Sequence, residues 1–141
     1  MVAWCLTTSV FAGERATAPL LPAYQQECSG CHVAYPPELL PAQSWQRIMS
    51  RLSHHFGTDA SVDAAQVKEI SAWLAQPGVA PRRDTPPEDR ITRSAWFARE
   101  HHEVPSIAWS HAAVKKASNC AACHTRADQG DFNERNVRIS R

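Results

Sequence analysis

The sequence has little glycine, almost no excess of either charge and no long hydrophobic run. Only 5 of its 141 residues are glycine, against 10 prolines, which disfavours long sheets joined by tight glycine hairpins. Its 15 basic and 14 acidic residues leave a formal net charge of +1, which excludes the strongly basic surface typical of nucleic-acid-binding proteins. With 43% hydrophobic and 21% charged residues, the composition is that of a globular chain.

The longest uncharged apolar segment lies at the start, in residues 2–12. At about 11 residues it is too short for a membrane span, which needs about 20. Its end, Val10-Phe11-Ala12, resembles a signal-peptidase site, although the basic region that usually opens a signal peptide is missing. We therefore expect residues 1–12 to be the remnant of a secretory signal peptide, with an apolar tail as the alternative. Cys5 would leave with it, and the rest of the chain is predicted not to be membrane-embedded.

Two C-x-x-C-H motifs use every remaining cysteine, at residues 28–32 and 120–124. This is the pattern of covalent haem attachment. Two thiols on one turn can each form a thioether with a vinyl group of the same porphyrin, and the histidine that follows can reach the iron. The sequence thus predicts two haem c groups, with thioethers at Cys28, Cys31, Cys120 and Cys123 and iron ligands at His32 and His124.

Three other uses of paired cysteines fit less well. A zinc ribbon brings its pairs within about 15–20 residues, whereas 88 residues lie between Cys31 and Cys120. A thioredoxin-like redox pair needs a βαβ context, which the pattern does not indicate. Disulfides would leave the two trailing histidines without a role.

A proline-rich stretch at residues 78–90 is predicted to be a linker between two halves, each with one haem. In residues 13–77, helices are expected over 20–31, from an N-cap at Ser44, and from Asp63 to a stop at Pro77. This order resembles a minimal class I cytochrome c.

The second half, residues 91–141, has a less regular pattern. Short helices are expected over 91–103 and 110–117, followed by a polar, basic tail. Such a small segment needs its haem to complete a core. The predicted fold is mainly α: an N-terminal class I cytochrome c-like helical domain with a small irregular C-terminal haem-binding segment.

The sixth ligand of each iron is sought among the other histidines, because Met49 falls in the apolar stripe of its helix. At about 100° per residue, His55 lies at the edge of that stripe and His54 lies opposite. The same test favours His101 over His102 for the second haem, although Pro105 weakens it and His111 stays an alternative.

Several segments together resemble the dihaem cytochrome c family known as DHC. They are W-x-x-I-M-x-x-L-x-H-H-F-G at residues 45–57, Trp96-Phe97 with His101, and N-C-A-A-C-H-T-R-A at residues 119–127. The resemblance implies distal ligands at His55 and His101, and the neighbouring His54 and His102 are extra histidines. It also implies a periplasmic electron carrier. Its partner would be an oxygen-binding monohaem cytochrome c, the sphaeroides haem protein, with a membrane b-type cytochrome as donor.

Two bis-histidine haems have no vacant coordination site, so the chemistry they favour is outer-sphere transfer of single electrons. Because histidine lacks the methionine thioether that raises the potential, low potentials are expected, separated by the different surroundings of the two haems. The chain is predicted to be a monomeric carrier and not an enzyme. The alternative is a small haem enzyme or a haem-based sensor with one open or labile iron.

Overall fold

The computed structural model describes residues 19–80 and 84–139. The expected signal-peptide remnant at 1–12 lies outside these ranges, as does part of the expected linker, residues 81–83. Within them, the α-helices are α1 (Pro22–Cys28), α2 (Ala42–Met49), α3 (Ala64–Leu74), α4 (Ala95–Glu100) and α5 (Ser106–Trp109). Short 3₁₀ turns join them, at Pro37–Leu39, Leu52–His54, Pro87–Asp89, Ile91–Arg93, Cys120–Ala122, Ala127–Gln129 and Glu134–Asn136. The described chain pairs its backbone in isolated bridges rather than in strands, so the prediction of a mainly α fold is confirmed.

The three helices of the first half enclose one hydrophobic core. Its most buried members are Tyr24, Leu40, Ile70 and Leu74, each at most 2% exposed. Removing an aliphatic side chain of this size from water contributes about 1.5–3 kcal/mol. Trp45 packs edge-on against Tyr24 and donates its indole N–H to the Pro37 carbonyl at 2.7 Å. The core therefore fixes the connection between α1 and α2, which follows the first C-x-x-C-H motif.

Helix boundaries in the first half depart from the sequence expectations at two points. Helix α2 begins at Ala42 after an extended Pro41, and Ser44 is fully buried inside it, so the prediction of an N-cap at Ser44 is wrong. Helix α1 is shorter than expected because proline is favoured at the first helical positions, and Pro22 starts the helix there. The start of α3 is confirmed, since the Asp63 carboxylate accepts the Ala65 N–H at 2.8 Å.

The second half has a smaller core, in which Phe97, Ala108, Val114 and Ala127 are buried. The helix expected over 91–103 is broken, because the Ser94 hydroxyl caps α4 by accepting the Phe97 N–H. The prediction of a helix over residues 110–117 is wrong. A one-turn helix, α5, forms earlier and follows Pro105 instead.

Two side-chain contacts join the first half to later parts of the chain across long sequence separations. The Tyr35 hydroxyl donates to the Ser118 carbonyl at 2.6 Å, 83 residues further along the chain. Arg47 on α2 makes two hydrogen bonds to the Asp89 carboxylate, at 2.6 and 2.9 Å. These contacts hold the turns around the second motif and around residues 87–93 against the first half. No helix in the described ranges has the length and apolarity needed to cross a membrane.

Candidate metal centres

The first C-x-x-C-H motif begins at the last residue of α1. Cys28 is half-buried among apolar neighbours, and burial raises the pKa of its thiol to about 11, whereas Cys31 is exposed. His32 follows in the turn, and its Nδ1 lies 2.7 Å from the Val33 carbonyl oxygen. A carbonyl only accepts, so Nδ1 carries the proton and Nε2 keeps the lone pair that a metal needs.

The structure brings His55 and not His54 towards His32, with ring centroids 6.2 Å apart. The continuous helix expected to carry His55 does not form, because α2 ends at Met49. A tight turn through Phe56 and Gly57, both with positive φ, places the His55 ring instead. His54 is exposed, with its Nδ1 2.9 Å from the Ser53 hydroxyl.

The second motif forms a 3₁₀ turn, Cys120–Ala122, followed by His124. The chain then folds back, and the Arg138 N–H donates to the Cys123 carbonyl at 2.8 Å. Burial also raises the pKa of the Cys120 thiol, to about 11. Among the described residues, the buried Nδ1 of His124 has no hydrogen-bond partner, so the two motif histidines are held differently.

His101 is the C-cap residue that follows α4, and its ring centroid lies 6.1 Å from that of His124. Its Nδ1 is 2.9 Å from the Phe97 carbonyl oxygen, which assigns the proton to Nδ1 and frees Nε2. The Phe97 ring stacks on the imidazole at 4.0 Å. Phe97 thus orients His101 through both its backbone and its side chain.

The competing ligands lie elsewhere. His102 is exposed, with its Nδ1 2.7 Å from the Arg99 carbonyl oxygen. His111 uses its Nδ1 to accept the Ala113 N–H at 3.1 Å, which caps a local turn. Met49 is buried in the core of the first half, as its place in the apolar stripe predicts.

Both histidine pairs leave room for one metal ion. Two metal–imidazole bonds of about 2 Å, with roughly 1 Å from ring nitrogen to ring centre on each side, require a centroid separation of about 6 Å. The observed separations are 6.2 Å for His32–His55 and 6.1 Å for His101–His124. In the described part of the chain, no three His, Cys, Asp or Glu side chains cluster as an all-protein metal site would. The residues present fit an iron whose other ligands come from a porphyrin.

The electrostatics favour a neutral imidazole at one member of each pair. Burial, followed by the neighbouring His32 and Arg90, lowers the pKa of His55. Burial and His101 likewise lower the pKa of His124, and Asp131 partly opposes this. Because only a neutral imidazole can coordinate a metal, both shifts favour ligation near neutral pH.

Two aromatic residues pack beside the motif histidines at positions that the sequence analysis does not predict. Tyr35 stacks on His32 with ring centroids 4.5 Å apart, while its hydroxyl bonds to Ser118. Phe132 packs 5.2 Å from His124. Tyr35 lies only three residues after His32, and this short spacing could have predicted that the two rings meet. No comparable feature of the sequence predicts that the chain folds back to bring Phe132 against His124.

Comparisons with known proteins agree with this arrangement. The sequence model of the family "Dihaem cytochrome c" matches residues 24–132. No curated protein sequence matches the chain. A diheme cytochrome type c from Shewanella baltica OS155 is 37% identical and superimposes with a TM-score of 0.73, over 84% of this chain and 91% of its own.

Two structures of the diheme cytochrome c DHC from Rhodobacter sphaeroides are also similar. One is 42% identical, with a TM-score of 0.69 over 79% of this chain and 96% of its own. The other is 41% identical, with a TM-score of 0.70 over 83% of this chain and 100% of its own. The matched segment contains both C-x-x-C-H motifs and both histidine pairs. The chain therefore belongs to the dihaem cytochrome c family, and its cofactors are two c-type haems.

Proposed function

We propose that the chain carries single electrons in the periplasm, with both haems low-spin and bis-histidine ligated. Haem 1 is the group attached at Cys28 and Cys31 and held by His32 and His55. Haem 2 is the group attached at Cys120 and Cys123 and held by His124 and His101. The observation that carries the proposal is the spacing of the two imidazole pairs, 6.2 and 6.1 Å between ring centroids.

Paired imidazoles leave no coordination site for a substrate, which favours electron transfer over catalysis. The protein's part is to orient the rings, exclude water from them and adjust their basicity. His32 and His101 donate Nδ1–H to carbonyl oxygens, whereas the buried Nδ1 of His124 has no partner in the described structure. Such hydrogen bonds change ligand basicity. Both haems are expected to have low potentials, which the different surroundings of the two haems separate.

The proposed organisation keeps a class I cytochrome c-like unit at residues 13–77 and a smaller haem unit at 91–141. We propose a monomer that exchanges electrons with an oxygen-binding monohaem cytochrome c, the sphaeroides haem protein, and receives them from a membrane b-type cytochrome. Support for the partners comes from family membership alone. Contacts between such redox partners are small and transient, so no large apolar patch is required.

Optical spectroscopy of the purified holoprotein tests the proposal. A pyridine haemochrome count should give two c-type haems per chain. Low-spin bands should stay unchanged when carbon monoxide is added to the dithionite-reduced protein. A high-spin fraction, or a band shift with carbon monoxide, would show an open iron and support the enzyme or the sensor instead.

The orientations of the two imidazole pairs predict different electron paramagnetic resonance spectra. The ring planes of His32 and His55 differ by 25°, whereas those of His101 and His124 differ by 70°. In low-spin ferric haem, near-parallel axial rings give a rhombic signal with three resolved g values, and near-perpendicular rings give one signal at a large g value. The oxidised protein should show one signal of each kind. Two rhombic signals would contradict the orientation at haem 2.

A further inference from the structure

An arginine at the end of the segment between the two halves lies close to His55, the proposed distal ligand of haem 1. The guanidinium carbon of Arg90 is 4.4 Å from the centre of the Phe56 ring. The Phe56 ring in turn packs edge-on against the His55 imidazole at 4.8 Å. A cation, an aromatic ring and the proposed iron ligand thus form a continuous stack.

Several ion pairs hold Arg90 in this position. Its Nε donates to the Glu88 carboxylate at 3.0 Å, and Arg93 donates to the other oxygen of that carboxylate. Asp89 accepts two hydrogen bonds from Arg47 on α2, which attaches the segment to the first half. These contacts fix where the guanidinium lies.

The backbone indicates that this position is enforced. Glu88 and Asp89 both adopt positive φ, of 55° and 56°. A non-glycine residue with positive φ is strained and persists only where the surroundings overdetermine it. Phe56, the platform of the stack, also has a positive φ, of 51°. Two strained turns therefore meet at the stack, each held in place by its side chains.

The charge of Arg90 lies close to His55, because the Phe56 ring that it covers packs against that imidazole. The ring contacts of His124 are with His101 and Phe132 instead. A fixed positive charge near a metal centre favours the state with one more electron.

We propose that Arg90 is an electrostatic tuning residue of haem 1, which raises the reduction potential of that haem and leaves haem 2 unchanged. Arg90 would affect the step in which ferric haem 1 gains one electron from a redox partner. In this step no proton is transferred and no bond forms or breaks. The proposal rests on the proposed function, in which His55 is an iron ligand. The side chain of Arg90 is 37% exposed, so solvent and salt screen its effect.

The test is a redox titration of the holoprotein in which the resonance signal of each ferric haem is followed separately. His55→Ala identifies the signal that belongs to haem 1, because that variant removes its proposed ligand. Arg90→Gln should lower the affinity of haem 1 for the electron about threefold, or about 28 mV at 59 mV per tenfold change. The potential of haem 2 should stay constant, and the shift should shrink at high ionic strength.

Two further variants separate charge from structure. Arg90→Lys keeps the charge and should retain most of the wild-type potential. Arg93→Gln removes a neighbouring charge that also pairs with Glu88, and should shift the potential of haem 1 less than Arg90→Gln does. A potential unchanged in Arg90→Gln, or an equal shift at both haems, would overturn the proposal. If His55→Ala instead leaves both haems low-spin, the ligand assignment fails, and this outcome is read independently of Arg90.

Discussion

Replacing a distal histidine should convert one closed haem into one that binds carbon monoxide. The variant His55→Ala removes the proposed ligand of haem 1, the imidazole whose ring centre lies 6.2 Å from that of His32. The variant His101→Ala removes the proposed ligand of haem 2, whose ring centre lies 6.1 Å from that of His124. Each variant should show one high-spin haem per chain and bind one carbon monoxide after reduction, whereas the wild type should bind none. Absorption spectra and a carbon monoxide titration measure both effects.

The adjacent histidines provide matched controls. His54→Ala and His102→Ala remove exposed imidazoles one position away, so both should keep two low-spin haems. If a control behaves like its neighbour, or if His55→Ala and His101→Ala stay closed to carbon monoxide, the distal assignment is contradicted. His111→Ala is the informative extra variant, since His111 is the remaining rival at haem 2. Its use of Nδ1 to cap a turn predicts loss of local order without opening of the iron.

Loss of the second haem should unfold the second half while the first half stays folded. In the double variant Cys120→Ala, Cys123→Ala, the attachment of haem 2 is removed. The second half then retains a core of four buried apolar residues in the described ranges, two of them alanines. That burial cannot offset about 1–2 kcal/mol of backbone entropy for each ordered residue.

Hydrogen–deuterium exchange resolves this outcome along the chain. In the double variant, amides of α4, α5 and the turns around residues 120–136 should exchange at nearly the rate of an unfolded peptide. Amides of α1, α2 and α3 should remain protected, because the variant leaves their core of Tyr24, Leu40, Ile70 and Leu74 and the first C-x-x-C-H motif unchanged. The protected first half is the internal control. Slow exchange in the second half of the variant would contradict a haem-dependent core.

The sequence predicts the two c-type haems because the attachment pattern is local, with two cysteines and a histidine inside five residues. The thioethers and iron ligands assigned to the individual residues stay predictions. The mainly α class and the start of α3 at Asp63 are also local properties, and the structure confirms them. His55 lies near His32, as expected. A turn at Phe56 and Gly57 places it there, whereas the sequence pattern predicts a continuous helix.

What the sequence cannot predict are the contacts between distant residues. Ser44 has the chemistry of a helix cap, yet burial in the first core places it inside α2. Nothing in the sequence around Arg90 indicates that it lies over Phe56. The contact depends on the ion pair of Arg90 with Glu88 and on the hydrogen bonds from Arg47 on α2 to Asp89. Tertiary packing determines these positions, because it overrides the intrinsic helix and capping propensities of the residues.

The Tyr35–Ser118 hydrogen bond bears on the order in which the protein matures. It closes a loop of 83 residues, and the entropy lost in closing a loop rises with its length. We therefore expect the contact to form late, after each half has acquired its own local structure. Tyr35 stacks on His32, and its hydroxyl donates to the turn two residues before Cys120. The second half is thus expected to dock onto a first half that has already folded.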